Sequence, residues 1–227
     1  MDGGKISLKL NIPGEEYVYR FPDYKVDLYG LNGKVDFNVP VEDVNNNLVQ
    51  TFDLKKAVWK KYEAKDLYLS VTFDTDGVYG EFGGAAYDGY VKGQFNYYLT
   101  EDGKKWDGWI TGTDLDTGPL TKVIVPDSFL MDGRINIDLI TVGDGSTIGE
   151  TTGSITTKTP GWIDITKLDK MLEEFPSDWS NLQRSLAELG LIGLKKFEYD
   201  KGTGSLYFKN REGDLNLRLE GPYGSRE

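Results

Sequence analysis

The triplet Asp116-Thr117-Gly118 is the first candidate for chemistry, because it spells the catalytic triplet of aspartic proteases. That chemistry needs a second aspartate across a symmetric site, and the sequence holds no second copy of the triplet. Pro119 also stands where that family has a small polar or aliphatic residue. The triplet therefore does not predict a protease.

Other chemistry is limited by the residue types available. The chain has no histidine and no cysteine, so the commonest general base, the thiolate metal sites and the disulfides are all missing. Asp74 with Asp76, and Asp144 near Glu150, offer oxygen ligands for Ca²⁺, but neither pair has the spacing of an EF-hand loop. Asp-Gly turns explain these acids better. We expect no enzyme, no cofactor and no metal.

Aromatic and acidic side chains leave a second class of function open. Glycosidases need two carboxylates facing a cleft, and sugar-binding proteins use Trp and Tyr platforms. The residues available for these roles are Trp59, Trp106, Trp109, Tyr87, Tyr90, Glu81 and Asp88. A carbohydrate-binding or carbohydrate-active β-sandwich, and an adhesive envelope module, therefore remain alternatives.

The composition predicts a mostly β protein. The chain has 227 residues, of which 38% are hydrophobic, with 28 Gly, 14 Tyr and 5 Trp, which suits short strands joined by tight turns. A net charge of −11 opposes binding to nucleic acid. No stretch approaches the ~20 apolar residues of a membrane span. The start at Met1 lacks a signal peptide, which indicates an excised segment of a longer protein.

Apolar and polar residues alternate with a period of two through much of the chain, most clearly from Asp66 to Leu99. This pattern predicts a one-sided antiparallel sheet. We divide the chain into a β meander over 1–60 and a β region over 61–227. Asp53 is expected to cap a helix from Leu54 to Tyr62, and a helical insert is expected over 166–190, with Trp179 on its apolar side.

Several glycine-rich motifs follow one another from Val71 onward. They are Gly83-Gly84-Ala85-Ala86-Tyr87-Asp88-Gly89-Tyr90-Val91-Lys92-Gly93, Met131-Asp132-Gly133-Arg134-Ile135, Thr152-Gly153-Ser154-Ile155, and the tail from Gly161-Trp162-Ile163 to Leu219. In this order they resemble the C-terminal region of the AsmA-like family, with Asp88 at a position where that family often has glycine. The resemblance covers roughly Ala64 to Glu220.

The resemblance implies a bridge-like lipid carrier of the bacterial envelope. Its fold would be a curved antiparallel sheet folded over an apolar groove like a taco, with two or three short helices. Its partners would be the acyl chains of phospholipids moving between inner and outer membranes. The location would be the periplasm, with the full-length protein anchored in the inner membrane. Partner proteins or self-association would satisfy the open sheet edges.

The groove is expected to be lined by the apolar members of the alternating strands. They are Leu67, Leu69, Val71, Phe73, Val91, Phe95, Tyr97, Leu99, Ile135, Ile137, Leu139, Leu215, Leu217 and Leu219. The same alternation is equally typical of the filled core of an ordinary sandwich. The sequence therefore leaves both an open groove and a closed core possible.

Overall fold

A computed structural model describes residues 5–12, 14, 17–40, 48–59, 62–74, 76–100, 103–124, 129–145, 147–165, 180–193, 195–209 and 212–226. The strands are β1 (Lys5–Ile12), β2 (Val18–Phe21), β3 (Val26–Pro40), β4 (Leu48–Trp59), β5 (Tyr62–Phe73), β6 (Gly77–Ala86), β7 (Gly89–Thr100), β8 (Gly103–Asp116), β9 (Phe129–Asp132), β10 (Arg134–Asp144), β11 (Thr147–Thr157), β12 (Gly161–Ile165), β13 (Phe197–Tyr199), β14 (Lys201–Lys209), β15 (Glu212–Gly221) and β16 (Gly224–Arg226). The described helices are α1 (Thr117–Ile124) and α2 (Asn181–Gly193), with a 3₁₀ turn at Pro22–Tyr24.

Most strands belong to one antiparallel sheet of 13 strands, in the order β1-β3-β4-β5-β6-β7-β8-β10-β11-β14-β15-β16, with β2 also paired to β3. The sheet is curved and does not close on itself. The prediction of a mostly β, taco-like curved sheet is confirmed. β4 and β5 pair directly from Leu48↔Phe73 to Trp59↔Tyr62, so the sheet continues across the boundary that the sequence suggested at residue 60.

Tight hairpins connect these long strands, and local bulges bend them. The β6–β7 hairpin turns at Tyr87 and Asp88, whose φ angles of 50° and 54° are the left-handed values that a two-residue hairpin turn requires. Register shifts interrupt the pairing of β5 with β6 between Lys65 and Tyr68. Another lies between β10 and β8 beside Asp114, which also has a positive φ. Such bulges increase local twist and bend the sheet.

A second layer covers one end of the large sheet. It is a three-stranded sheet in the order β13-β12-β9, with α1 beside it. Its Met131, Ile163, Ile165, Phe197 and Tyr199 form the buried core together with three residues of the large sheet, which are Leu115, Ile135 and Leu219. Burying one such aliphatic side chain stabilises a fold by about 1.5–3 kcal/mol. We call β9, β12, β13 and α1 the covering layer.

The helix prediction over Leu54–Tyr62 is wrong. The structure has strand from Leu48 to Trp59, paired on both sides, with Leu54 opposite Leu31 in β3 and opposite Leu67 in β5. The spacing of Leu54, Ala57 and Val58 fits a helix locally, but two neighbouring strands satisfy the backbone and override it.

The other helices differ from expectation in their positions. Of the predicted helical insert, 166–179 lies outside the described residues, and so does Trp179. α2 occupies the remainder but continues through Gly193 rather than ending at Gly190. α1 was not predicted, although Asp116 is a good N-cap: its Oδ1 accepts a hydrogen bond of 2.8 Å from the Gly118 amide.

Candidate functional site

An unbroken row of apolar residues and glycines crosses the large sheet from β1 to β15. Each member lies directly opposite the next in the strand pairing, so all of them point to the same face. We call it the central row: Ile12, Gly33, Phe52, Leu69, Phe82, Gly93, Ile110, Leu139, Gly153, Leu206 and Leu215. At ~4.8 Å between neighbouring strands, the row is roughly 45–50 Å long.

Glycines lie beside large side chains on the apolar face for a steric reason. A Cβ added at Gly93 would lie 2.5 Å from Cζ of Phe82, and one at Gly80 would overlap the ring of Phe95. Each ring therefore lies flat over the glycine of the neighbouring strand. Gly143 is covered in the same way by Trp106. These pairs shield apolar surface without a second layer, and they make the face smooth.

The rows beside the central row carry no charge. One is Gln50, Val71, Gly80, Phe95, Gly108, Thr141, Thr151, Phe208 and Gly213. The other is Leu54, Leu67, Gly84, Val91, Gly112, Ile137, Ile155, Gly204 and Leu217. The hydroxyls of Thr141 and Thr151 lie 3.0 Å apart and hydrogen-bond to each other. We call this side of the sheet the apolar face.

The apolar face is exposed at several positions and half-buried at others. On the central row, Ile110 is 37% exposed and Leu215 is 60% exposed, and Phe73 and Leu99 are also exposed on this face. The chain has 15065 Å² of solvent-accessible surface, against the ~10,400 Å² typical of a compact monomer of this size. The excess shows an extended rather than a compact molecule, and the exposed apolar residues aligned on this face make it the candidate binding surface.

All the predicted groove residues lie on the apolar face, but the covering layer divides them. Ile135 and Leu219 are buried in its core, and Val91, Ile137 and Leu217 pack against that core. The remaining members are free of the core cluster: Leu67, Leu69, Val71, Phe73, Phe95, Tyr97, Leu99, Leu139 and Leu215. An open groove can therefore include only this second group.

Sequence reasoning missed several members of the central row. Phe52, Phe82, Ile110 and Leu206 were not among the predicted lining residues, although each lies opposite a predicted residue or its glycine. The signal that could have found them is the spacing of the glycines. In paired strands a glycine recurs wherever a bulky neighbour needs space, so glycine positions mark the register.

The opposite face carries most of the polar side chains, several of which hydrogen-bond to one another, together with the exposed Val49, Ile140 and Val142. The Trp109 indole donates to Gln94 Oε1 at 3.0 Å, and Asn96 Nδ2 donates to Asp107 Oδ1 at 2.7 Å. The Tyr98 hydroxyl donates to the other oxygen of Asp107 at 2.8 Å, and this hydrogen bond raises the pKa of Tyr98 above its usual value. This polar face faces water.

The structure does not assemble the residues considered for carbohydrate chemistry. Trp106 lies on the apolar face, whereas Trp109 lies on the polar face with Tyr90 and Glu81. Trp59 stacks on Tyr62 with ring centroids 5.0 Å apart. Tyr87 and Asp88 form a hairpin turn beside a shallow cavity of ≈ 430 Å³ that includes Glu63, Lys65 and Pro119. These side chains lie on two faces and a turn, so they do not form one cleft.

The Asp116-Thr117-Gly118 triplet has a structural role. Asp116 caps α1, and the fully buried Thr117 donates to the Gly133 carbonyl at 2.9 Å and to the Met131 carbonyl at 3.1 Å. The triplet therefore joins α1 to the covering sheet.

Two of the four acids considered for Ca²⁺ have ordinary side-chain partners. Asp76 accepts from the Tyr79 hydroxyl at 2.9 Å, and Glu150 pairs with Lys209 at 3.1 Å. Within the described residues, no group of three or more acidic side chains could hold a metal ion.

Comparison with known proteins gives no relative: no family model, curated protein or solved structure matches this chain. No helix in the described part is long and apolar enough to cross a membrane. The geometry of the apolar face is thus the principal guide to function.

Proposed function

We propose that this chain is a segment of an AsmA-like lipid-transfer protein of the bacterial envelope, and that its apolar face holds the acyl chains of phospholipids. The observation that carries the proposal is the central row, which is uncharged, continuous from β1 to β15, and exposed to solvent at Ile110 and Leu215. The proposed site contains no catalytic residue and needs no cofactor.

Acyl chains suit this surface better than a protein partner does. Each methylene moved from water to an apolar surface gains about 0.8 kcal/mol, and the interaction has no directional requirement. A protein interface normally carries about one hydrogen bond per 100–200 Å². The central row offers apolar side chains and glycines only, while the flanking Thr141 and Thr151 hydroxyls bind each other. A ligand without polar groups along its length fits such a surface.

The length of the central row also fits the proposal. The row runs across the strands for roughly 45–50 Å, whereas the hydrocarbon core of a bilayer is ≈ 30 Å thick. An acyl chain, which spans one leaflet, is therefore shorter than the central row. Lipids could lie one behind another along the central row, with their headgroups in water at the margin of the sheet. Such an arrangement allows transfer by sliding.

Lipid extraction followed by mass spectrometry tests this proposal directly. We expect the purified protein to retain phospholipid, and Leu69→Asp with Leu139→Asp to abolish retention because both place a carboxylate in the central row. The matched control is Thr51→Asp with Thr113→Asp, since both threonines are exposed on the polar face of β4 and β8. Circular dichroism establishes that both double variants are folded.

The control decides how a loss is interpreted. Retention in the control and loss in the central-row variant support the proposal. A wild-type protein that carries no lipid and takes none from added phospholipid vesicles contradicts it, and a sugar-binding or adhesive role would then replace it. Equal retention by both variants also contradicts it, because the lipid would then lie elsewhere.

A further inference from the structure

The two ends of β10 differ in their access to water. Ile135 and Gly143 each lie four residues from Leu139 of the central row, in opposite directions along the strand. Ile135 is 5% exposed in the core under the covering layer, whereas Ile148, which lies opposite Gly143, and Leu99 of β7 are both about half exposed. We call the Gly143 end, where β7 leads into β8 and β10 into β11, the hairpin end. A headgroup attached to an acyl chain on the central row therefore reaches water at the hairpin end.

A row of aromatic and aliphatic side chains lies on the apolar face at the hairpin end. Its members lie opposite one another in the strand pairing: Phe73, Val78, Tyr97, Trp106, Gly143 and Ile148. Tyrosine and tryptophan combine an apolar ring with a polar atom, and such side chains are enriched where hydrocarbon meets water. The row is thus suited to the junction between acyl chains and headgroups.

An open cavity of ≈ 430 Å³ lies beside Trp106 at the hairpin end. Residues of both faces line it, because Trp106 and Gly143 belong to the apolar face, whereas Lys105 and Val142 belong to the polar face. The pairing of β10 with β11 shifts register between Val142 and Gly143, which leaves Gly149 as an extra residue. Neither glycine has a side chain, so the sheet is thin here. A headgroup can therefore bend over the strand ends into the cavity.

The cavity carries one cation and one anion for which the described residues supply no ion-pair partner. Lys105 and Asp144 line it, lie opposite each other in the pairing of β8 with β10, and are exposed. Neither forms an ion pair within the described part of the chain. Asp107 also lines the cavity, but its two oxygens accept hydrogen bonds from Asn96 and Tyr98. One positive and one negative group are thus available to a ligand.

We propose that this cavity binds the headgroup of a zwitterionic phospholipid, with Lys105 at the phosphate and Asp144 at the ammonium group. The inference rests on the proposed function, since the acyl chains must lie on the apolar face. Phosphate and lysine form charge-assisted hydrogen bonds, as do carboxylates and ammonium groups. An anionic headgroup would meet one cation beside Asp107 and Asp144, on a chain with a net charge of −11. It should therefore bind less well.

Competition between two phospholipids with identical acyl chains tests this proposal. The protein is incubated with vesicles of equal amounts of zwitterionic phosphatidylethanolamine and anionic phosphatidylglycerol, and the lipid bound to the recovered protein is quantified by mass spectrometry. We expect the wild type to prefer phosphatidylethanolamine by about fivefold, which corresponds to an exposed ion pair at the upper end of its usual strength. Asp144→Lys should reverse the preference, because two cations then face the phosphate and the carboxylate opposite Lys105 is gone.

The matched control is Asp138→Lys, which makes the same change of charge on the same strand. Asp138 is exposed on the polar face, six residues before Asp144 and therefore about 20 Å away. This control should keep the preference of the wild type. Asp144→Asn removes the charge but retains a side chain that favours turns, and it should bring the two lipids close to equal uptake. Circular dichroism establishes that each variant is folded.

The ratio of the two lipids and their total amount separate the headgroup site from the proposed function. Equal uptake of both lipids by the wild type overturns the headgroup site and leaves the proposed function in place. An unchanged preference in Asp144→Lys also overturns the site, as does a reversal in Asp138→Lys, since the net charge of the chain would then set the preference. Uptake of neither lipid contradicts the proposed function, and the headgroup site with it.

Discussion

The covered end of the large sheet and its open remainder are built from the same alternating strands, but they are stabilised in different ways. At the covered end, Leu115, Ile135 and Leu219 meet a second layer and lose their contact with water. On the open face, rings such as Phe82 and Phe95 lie over glycines of the neighbouring strand. Alternation thus identifies which face of the sheet is apolar, whereas a separate segment of the chain decides whether that face becomes a core.

The largest effect should follow a core truncation in the covering layer. Ile163 has no exposed surface, so Ile163→Ala should leave a cavity and lower the free energy of unfolding by about 3 kcal/mol. Leu69→Ala on the open face should lower it by roughly 1 kcal/mol, because its side chain already contacts solvent. Urea denaturation measures both. Equal losses would show that the two regions are packed alike.

Adding a methyl group to the open face should have the next largest effect. Gly80→Ala places a Cβ where the Phe95 ring lies, so the ring must move, at a cost of about 1–3 kcal/mol. The same change in a Phe95→Ala background should cost much less, since the ring is gone. A double-mutant cycle measured by urea denaturation gives the coupling. The absence of coupling would contradict the role given to the ring.

The stability of the covering layer should depend on pH in the alkaline range, because the layer buries the side chain of Tyr199. Tyr199 donates to the Asp132 carbonyl at 2.8 Å, and burial raises the pKa of Tyr199 to about 12. This value exceeds the usual one near 10. The contribution of the protonated Tyr199 hydroxyl to the free energy of unfolding is thus complete below pH 10 and is lost as the pH rises through 12.

Tyr199→Phe should therefore cost about 1 kcal/mol at neutral pH and should remove part of the alkaline loss of stability. Thermal unfolding of both proteins between pH 7 and pH 12 would measure the difference. Parallel curves for the two proteins would indicate that Tyr199 titrates at its ordinary pKa.

The smallest effect is expected on the polar face. Lys209 and Glu150 form an exposed ion pair of 3.1 Å, and exposed pairs are screened by water and salt. Lys209→Ala should leave the thermal midpoint unchanged within error, and it should leave bound lipid unchanged. A clear loss of lipid in this variant would mean that the polar face takes part in binding.

The sequence predicted the sheet well because β alternation is a local signal. The period of two in 66–99 correctly assigned Leu69, Val71 and Phe95 to one face, and the mostly β class follows from it. The helix prediction over Leu54–Tyr62 was wrong because the same apolar residues fit both the helical period of 3.6 and the strand period of two. Only pairing with the neighbouring strands decides between the two structures.

The covering layer could not be predicted, since it depends on contacts distant in sequence. Ile137 and Leu139 are indistinguishable by pattern, yet the first packs against the buried core and the second does not. The difference arises because β12 and β13 return over one end of β10 and β15. Asp116 gave a local signal for α1, but its triplet also matched a protease motif, and only the hydrogen bonds of Thr117 show its structural role.

Photo-crosslinking along β10 would locate bound acyl chains, because three consecutive residues of this strand lie in three different environments. A photoreactive phenylalanine derivative would replace Leu139 on the open central row, Asp138 on the polar face, or Ile137 against the covered core, each in protein loaded with phospholipid. We expect crosslinked lipid at position 139 and essentially none at positions 138 and 137. Equal crosslinking at 138 and 139, or none at 139, would contradict the proposal that acyl chains lie along the central row of the apolar face.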